Sequence, residues 1–402
     1  MKNFVWKGRT RAGKSQSGVI SANTKEEVIE ILRKQKIIVT SVRPKAKEIK
    51  LPTLGSGVKK EELGVFTRQL SVMIDAGLPI VQCLEILASS QVNKRFQEIL
   101  YKVKASVEEG MTFADSLRKH PKVFDALYTN LIEAGETGGI MDTILQRLST
   151  YIEKSVTLKR QVKSAMTYPA VIISIAVIVV IILMIWVIPT FALIFTGLGS
   201  ELPGMTMFVI NLSYFVKDYI LIIIAVAIGI GVLIYYYYQT KNGRFFIDKL
   251  MLNAPVIGEL VRKIVIARFT RTLGTLISSG VSILDALEIT ARTAGNAIIE
   301  KAIMDTRESI SEGKSISEPL RETDQFPPMV VSMIGVGEQT GALDTMLQKI
   351  ADFYEEEVDV AVANLTSLME PLMIVVLGTI IGFIVIAMYM PQFKLIGEMA
   401  AR

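Results

Sequence analysis

Apolar residues are spread unevenly along this chain. Three stretches are almost uninterrupted: Ala170–Ile188, with Ser174 its lone polar residue, then Tyr219–Tyr238 and Pro371–Pro391, neither of which carries a charge. A bilayer core of about 30 Å needs about 20 apolar helical residues, so each stretch predicts a membrane-spanning helix. Trp186 and Tyr235–Tyr238 lie near span ends, where an aromatic belt belongs. Elsewhere the pattern is amphipathic. Ile80, Leu84 and Leu87 fall on one helical face, and most of the chain outside the spans reads as helix. The first 43 residues differ. Phe4–Lys7, Ser17–Ile20 and Ile37–Val42 read as strands and Lys25–Gln35 as a helix, a small α+β element. Its start, Met1–Lys7, has no apolar run of the signal-peptide kind.

Basic residues set the expected orientation. Lys154, Lys159, Arg160 and Lys163 precede the first span, and Lys241, Arg244, Lys249, Arg262 and Lys263 follow the second. The connection between them, Thr190–Asp218, has only Lys217. The N-terminal part and the 239–370 region are therefore expected in the cytoplasm, and the C-terminus on the other side by parity. The acidic flank before the third span and the basic Lys394 and Arg402 after it point the other way. Acids weigh little in this rule and early spans usually dominate.

The sequence repeats itself. Between 66–88 and 269–291, 11 of 23 positions are identical. Phe66-Thr67-Arg68 returns as Phe269-Thr270-Arg271, and Gly77 as Gly280. After a one-residue slip, Gly135-Glu136 and Gly139 return as Gly337-Glu338 and Gly341. Pro169 and Pro189 match Pro371 and Pro391 at the two ends of a span. A duplicated unit fixes the architecture. The expected layout is an α+β element over 1–43, a flexible linker over 44–60 and a cytoplasmic helical domain over 61–168. A span over 169–191, a periplasmic segment over 192–218 and a span over 219–238 come next. The second helical domain over 239–370, a span over 371–391 and a tail over 392–402 complete it. The fold class is thus mainly α: a polytopic membrane protein with two duplicated cytoplasmic helical bundles. Tyr151–Tyr168 is expected to run into the first span as one helix, a path for force or rotation.

Candidate chemistry is sparse. With His120 and Cys83 alone of their kinds, the chain cannot build a Cys/His zinc site or a disulfide framework. A net charge of +5 over 402 residues argues against nucleic acid. The spans contain no ionisable side chain, which weakens a pump or transporter reading. Gly8–Ser15 fits G-x-x-x-x-G-K-[ST] and would make an ATPase with Lys14 on phosphate. It is followed by the strand-like Gln16–Ile20, so a basic hairpin turn is expected instead. The Gly135–Gly139 and Gly337–Gly341 runs read as tight turns, with Glu136 and Glu338 capping the following helix or, alternatively, holding a cation or partner. Thr112 and Ser315 are expected to open capping boxes. His120 reads as an exposed helix end, Cys83 as core, and Glu355–Glu357 as a solvated face. Gly378 and Gly382 offer a close helix-packing surface, within or between chains. No catalytic group, metal site or cofactor is expected.

The duplicated F-T-R-x-L…G…L-E-I start, the G-E-x-x-G runs and the Pro-to-Pro spans resemble the PilC/GspF family over the whole chain. Ala351–Asp359, Met388–Leu395 and Ala294-Gly295-Asn296 look more like its pilus branch, while Gly138 stands where that family usually has Ser or Thr. The resemblance implies an inner-membrane platform protein of type IV pili, with the type II secretion platform as the alternative. Its implied partners are cytoplasmic extension and retraction motor ATPases, pilins, other inner-membrane components, membrane lipids and further copies of itself.

Overall fold

The computed structural model describes residues 2–10, 15–22, 25–34, 37–44, 57–197 and 202–400. They divide into two compact units, with the boundary after Gly57.

The first unit is a three-stranded antiparallel sheet, with β1 (Lys2–Thr10), β2 (Ser15–Ala22) and β3 (Ile37–Pro44) in the order β2-β1-β3. The helix α1 (Lys25–Lys34) packs against β3 and β2. In β1–β2, Arg9 stands opposite Ser15. The P-loop-like segment therefore joins two strands of a hairpin, whereas a phosphate cradle would lead from a strand into a helix. Lys14 lies outside the described residues, as do residues 45–56 of the expected linker. Gly8 sits at a register shift between β1 and β3, where a glycine is favoured for its own reasons.

The second unit is helical. A first series comprises α2 (Lys60–Asp75), α3 (Ile80–Ser90), α4 (Lys94–Glu108), α5 (Phe113–Arg118) and α6 (Ala126–Gly138). It passes into the long α7 (Met141–Ile182), a π-helical turn (Leu183–Val187) and α8 (Ile188–Gly197). Then come α9 (Gly204–Gln239) and α10 (Lys241–Asn253). A second series follows: α11 (Ile257–Ser278), α12 (Ile283–Thr293), α13 (Ala297–Ser311), α14 (Ser317–Glu322) and α15 (Pro328–Thr340). It ends in α16 (Leu343–Ala400). The helices α3 to α6 have 11, 15, 6 and 13 residues, and so do α12 to α15.

Local chemistry explains these boundaries. Asn93, Thr112, Asp125, Ser282 and Asn296 accept the first free N–H groups of α4, α5, α6, α12 and α13. Ser315 does not play that part: it faces Ser317, and the N-cap of α14 is Ile316, without a side-chain cap. Gly135–Gly138 is the last turn of α6 rather than a turn between helices, and only Gly139 leaves the helix, at φ +68°. Gly341 ends α15 in the same way, at φ +70°. A left-handed cap closes a helix with a single glycine, so four of the five residues can stay helical.

The core of this unit is built on Phe66, Phe96, Phe124 and Tyr128, with Phe66 and Phe96 edge to face at 5.4 Å. Phe269 and Phe326, at 5.0 Å, stand in the second series. Cys83 lies in the core, where burial pushes its thiol pKa up. His120 is half-buried rather than exposed, and desolvation followed by Lys102 and Lys119 lowers its pKa.

Three helices are long and apolar enough to cross a membrane, over Met141–Phe195, Gly204–Gln239 and Leu343–Phe393. Each runs well past its apolar stretch. Residues 204–218, expected in a periplasmic segment, belong to α9. Pro169, Pro371 and Pro391 lie inside helices and break none of them.

Candidate coupling interface

Two arginines tie the helical series to the long helices. Arg68 of α2 reaches Glu153 of α7 with Nε at 2.9 Å and Nη2 at 2.8 Å. Arg271 of α11 reaches Glu355 of α16 with Nε at 2.8 Å and Asp352 with Nη2 at 2.5 Å. A planar guanidinium suits such two-pronged contacts. The Arg68 pair is half exposed on both sides and holds little energy of its own. Arg271 is 15% exposed; its burial lowers the pKa, but the carboxylates of Glu355 and Asp352 more than offset this and raise it overall. Glu355–Glu357 is therefore not a solvated face. Glu355 also accepts from Lys154 of α7 at 3.1 Å, and Glu357 pairs with Lys263 of α11 at 2.9 Å.

Through these residues α7 is seated on α11 and α16. The Tyr151 and Thr272 hydroxyls are 3.2 Å apart, and Gln161 donates to Asp359 at 3.1 Å. Leu158, Val162 and Ala165 pack with Leu260, Val358 and Val362 in a separate apolar cluster. Lys154 meets Glu355 and, one or two turns on, Gln161 meets Asp359, so the long helices run in parallel. Beside them is a cleft of about 430 Å³ lined by Lys154, Gln161, Asp352, Glu355, Glu356 and Asp359. Among the described residues no group of three or more His, Cys, Asp or Glu could hold a metal ion.

Glu136 and Glu338 do cap helices, but not the following ones. Glu136 accepts from the N–H groups of Phe113 and Ala114 at 2.8 and 3.1 Å, at the start of α5. Glu338 accepts from Ile316 N–H with both oxygens, at 2.9 and 3.0 Å, ahead of α14. Each carboxylate thus folds back onto a short earlier helix, where free N–H groups favour negative charge. The neighbouring glycine has its own cause. A Cβ on Gly135 would stand 3.0 Å from Ile144 Cγ1, and one on Gly337 would stand 2.9 Å from Leu343 Cα. Removing a capping carboxylate of this kind costs about 1–2 kcal/mol. Glu136→Ala is accordingly expected to speed amide exchange at Phe113 and Ala114 roughly tenfold, and Glu338→Ala to do so at Ile316. Hydrogen exchange read by mass spectrometry checks this; unchanged protection at all three amides would contradict it.

Asp248, on α10, is a residue that the sequence patterns did not single out. It is 3% exposed. It accepts from Ala297 N–H at 2.7 Å, at the start of α13, and from the Tyr238 hydroxyl at 3.1 Å. Arg244 stands 3.8 Å from it and pairs with Glu300 at 3.0 Å. One carboxylate therefore joins the end of α9 to the second series. Gly243, beside it, has no room for a side chain: a Cβ would lie 2.0 Å from the Tyr237 carbonyl oxygen.

The prolines at the far ends of the spans explain two further residues. Proline has no N–H, so one carbonyl in the preceding turn loses its helical partner. In the π turn Ile188 N–H pairs with Leu183 O, five residues back. In that register Pro189 leaves Met184 O free, and the Ser213 hydroxyl of α9 donates to it. In α16, Pro391 frees Ala387 O in the ordinary four-residue register. The Thr206 hydroxyl of α9 donates there at 2.6 Å. Met184, Ile188, Val209, Ile210, Ile384 and Ala387 form a buried cluster around these contacts. By contrast, a Cβ on Gly378 or Gly382 would meet nothing within 4 Å, so these glycines pack against no helix of the same chain.

Comparison with known proteins matches this chain to two families. "Type II secretion system (T2SS), protein F" matches residues 66–189 and again 269–391, and "Type II secretion system protein F, N-terminal domain" matches residues 1–43. The type IV pilus assembly protein PilC of Myxococcus xanthus is 49% identical over 397 residues, 98% of this chain and 95% of the relative. PilC of Thermus thermophilus is 43% identical over 407 residues, covering 100% of both. The type II secretion system protein F of Vibrio cholerae is 30% identical over 400 residues, 98% of both. With its three membrane-length helices the chain is a multi-pass inner-membrane protein. It belongs to the PilC/GspF family, that of type II secretion system protein F and the PilC pilus assembly proteins.

Proposed function

We propose that the chain is the non-enzymatic inner-membrane platform of a type IV pilus machine, coupling cytoplasmic motor ATPases to pilin insertion and removal. The single observation that carries this reading is mechanical. Each helical series is tied by its arginine to a helix that continues unbroken into a span. The two series are taken as copies of one bundle, since helix lengths and capping carboxylates recur and one family matches both. Basic flanks favour placing both bundles and the α+β element in the cytoplasm, with the C-terminus in the periplasm. Phe66, Arg68, Gly77, Gly135, Glu136, Gly139 and their counterparts are proposed as the residues that hold each bundle in shape.

The pilus branch is favoured over the secretion branch by identity, 49% against 30% for the relatives named above. In the secretion alternative the same platform drives a pseudopilus. Deleting the gene separates the two: loss of surface fibres supports the first, and exoproteins held in the periplasm support the second. Motor coupling is tested by co-purifying the full chain with the cognate motor ATPase, with and without nucleotide. Retention that changes with nucleotide is expected, and no retention in either state would sink the reading.

A further inference from the structure

In the second bundle the face made by α11 and α16 is covered by α7. In the first bundle the same face, made by α2 and α7, is a groove of about 300 Å³ open to solvent. It is lined by Val65, Arg68, Glu153, Val156, Thr157 and Arg160. The difference in burial follows position by position. Val358 and Val362 are buried beneath α7, while their counterparts Val156 and Arg160 are half-buried and exposed. Val65 is 58% exposed.

The surface that α7 lays on the second bundle has a counterpart too. Tyr151, Leu158 and Ala165 become Phe353, Val360 and Ser367 on α16. Phe353 is 44% exposed and Val360 53% exposed, with no cover in this chain. Lipid does not account for Phe353, which lies about 27 Å along the helix before Pro371. The charges have changed on both sides together. Where Lys154 meets Glu355 within the chain, α16 presents Glu356 and the open groove presents Arg160 in place of Val362.

We propose that this groove receives α16 of a second copy of the chain, repeating between chains the contact that α7 makes within one. The inference rests on the reading of the two bundles as copies. The two surfaces lie on different faces, so the contact is head to tail and each copy keeps one free groove and one free helix face for the next. In a shared membrane, with parallel long helices, the repeat runs about the membrane normal and builds a ring or a row.

Cross-linking in native membranes tests it, with two differently tagged full-length chains. One carries Thr157→Cys and the other Ala363→Cys, the positions equivalent to the hydrogen-bonded Asp359 and Gln161. The buried Cys83 is common to all samples, and the unsubstituted chain is the control. A short bismaleimide is expected to join Thr157→Cys to Ala363→Cys at least tenfold more efficiently than it joins either variant to itself. Equal homotypic products would overturn the head-to-tail contact. So would no product at all while a Gln161→Cys/Asp359→Cys chain still cross-links internally; this outcome would leave the two-copy reading standing. If the internal pair also fails, the seating of α7 on the second bundle is wrong, and both ideas fall together. Cross-linking of the Thr157→Cys chain only to a different protein would assign the groove to that partner and refute the proposal.

Discussion

Replacing Asp248 by alanine is expected to destabilise the second bundle by about 3 kcal/mol, in the range for removing one member of a buried charged pair. The change strips the acceptor from Ala297 N–H and from the Tyr238 hydroxyl. Arg244 keeps only Glu300. A buried donor left without its acceptor bears its full desolvation cost, which explains why this exceeds the worth of an ordinary hydrogen bond. Asp248→Asn keeps an oxygen for Ala297 N–H and should recover part of the loss. Thermal unfolding of the detergent-solubilised chain, with limited proteolysis near the α9–α10 junction, reads the effect. A melting curve superimposable on that of the parent would show that the carboxylate does not clamp these elements.

The second large effect belongs to the membrane. Thr206→Val leaves Ala387 O with neither a helical N–H nor a hydroxyl, and Ser213→Ala does the same to Met184 O. Hydroxyl bonds between membrane helices are worth roughly 0.6–2 kcal/mol, and an unpaired carbonyl in lipid has no water to turn to. Each substitution is expected to lower the stability of the three-helix cluster by about 1–2 kcal/mol. The cause is specific enough for a double-mutant cycle. Pro391→Ala restores the helical N–H to Ala387 O, so Thr206→Val in that background should cost less than half as much. Additive losses across the cycle would falsify the link between proline and hydroxyl. Steric trapping or unfolding in mixed micelles supplies the free energies.

The three long apolar helices were legible because lipid demands length and composition, two properties that a sequence displays directly. The β-hairpin around Gly8–Ser15 was legible for a related reason: alternation over Gln16–Ile20 excluded a helix after the loop. The Gly135–Gly139 and Gly337–Gly341 runs were misread as turns. Glycine signals both a break and a close approach, and here only the last glycine of each run breaks the helix. Glu136 and Glu338 were correctly seen as caps, but aimed at the wrong helices. Their targets lie on chain about twenty residues earlier, which local spacing cannot convey. Glu355 and Asp248 depend wholly on tertiary contacts, since a charge run or a lone Asp looks the same whether solvated or paired. Ser213 and Thr206 could have been found. Two prolines ending apolar spans must free carbonyls, and a hydroxyl within a neighbouring span is the natural donor.

The prolines have a further consequence for how the spans respond to load. At the end remote from the bundles, Pro189 and Pro391 sit beside carbonyls pinned to α9. At the near end, Pro169 and Pro371 remove a helical hydrogen bond from each long helix at the point where its apolar stretch begins. From Met141 to Tyr168 the helix is an unbroken rod of roughly 40 Å. The spans therefore behave as cantilevers, anchored at one face and compliant at the other. A push on the bundles swings the near-side leaflet segment most and the anchored tips least. Whatever these helices lift or release in the bilayer should feel the stroke at the bundle-side surface, and the far side should act as its fulcrum.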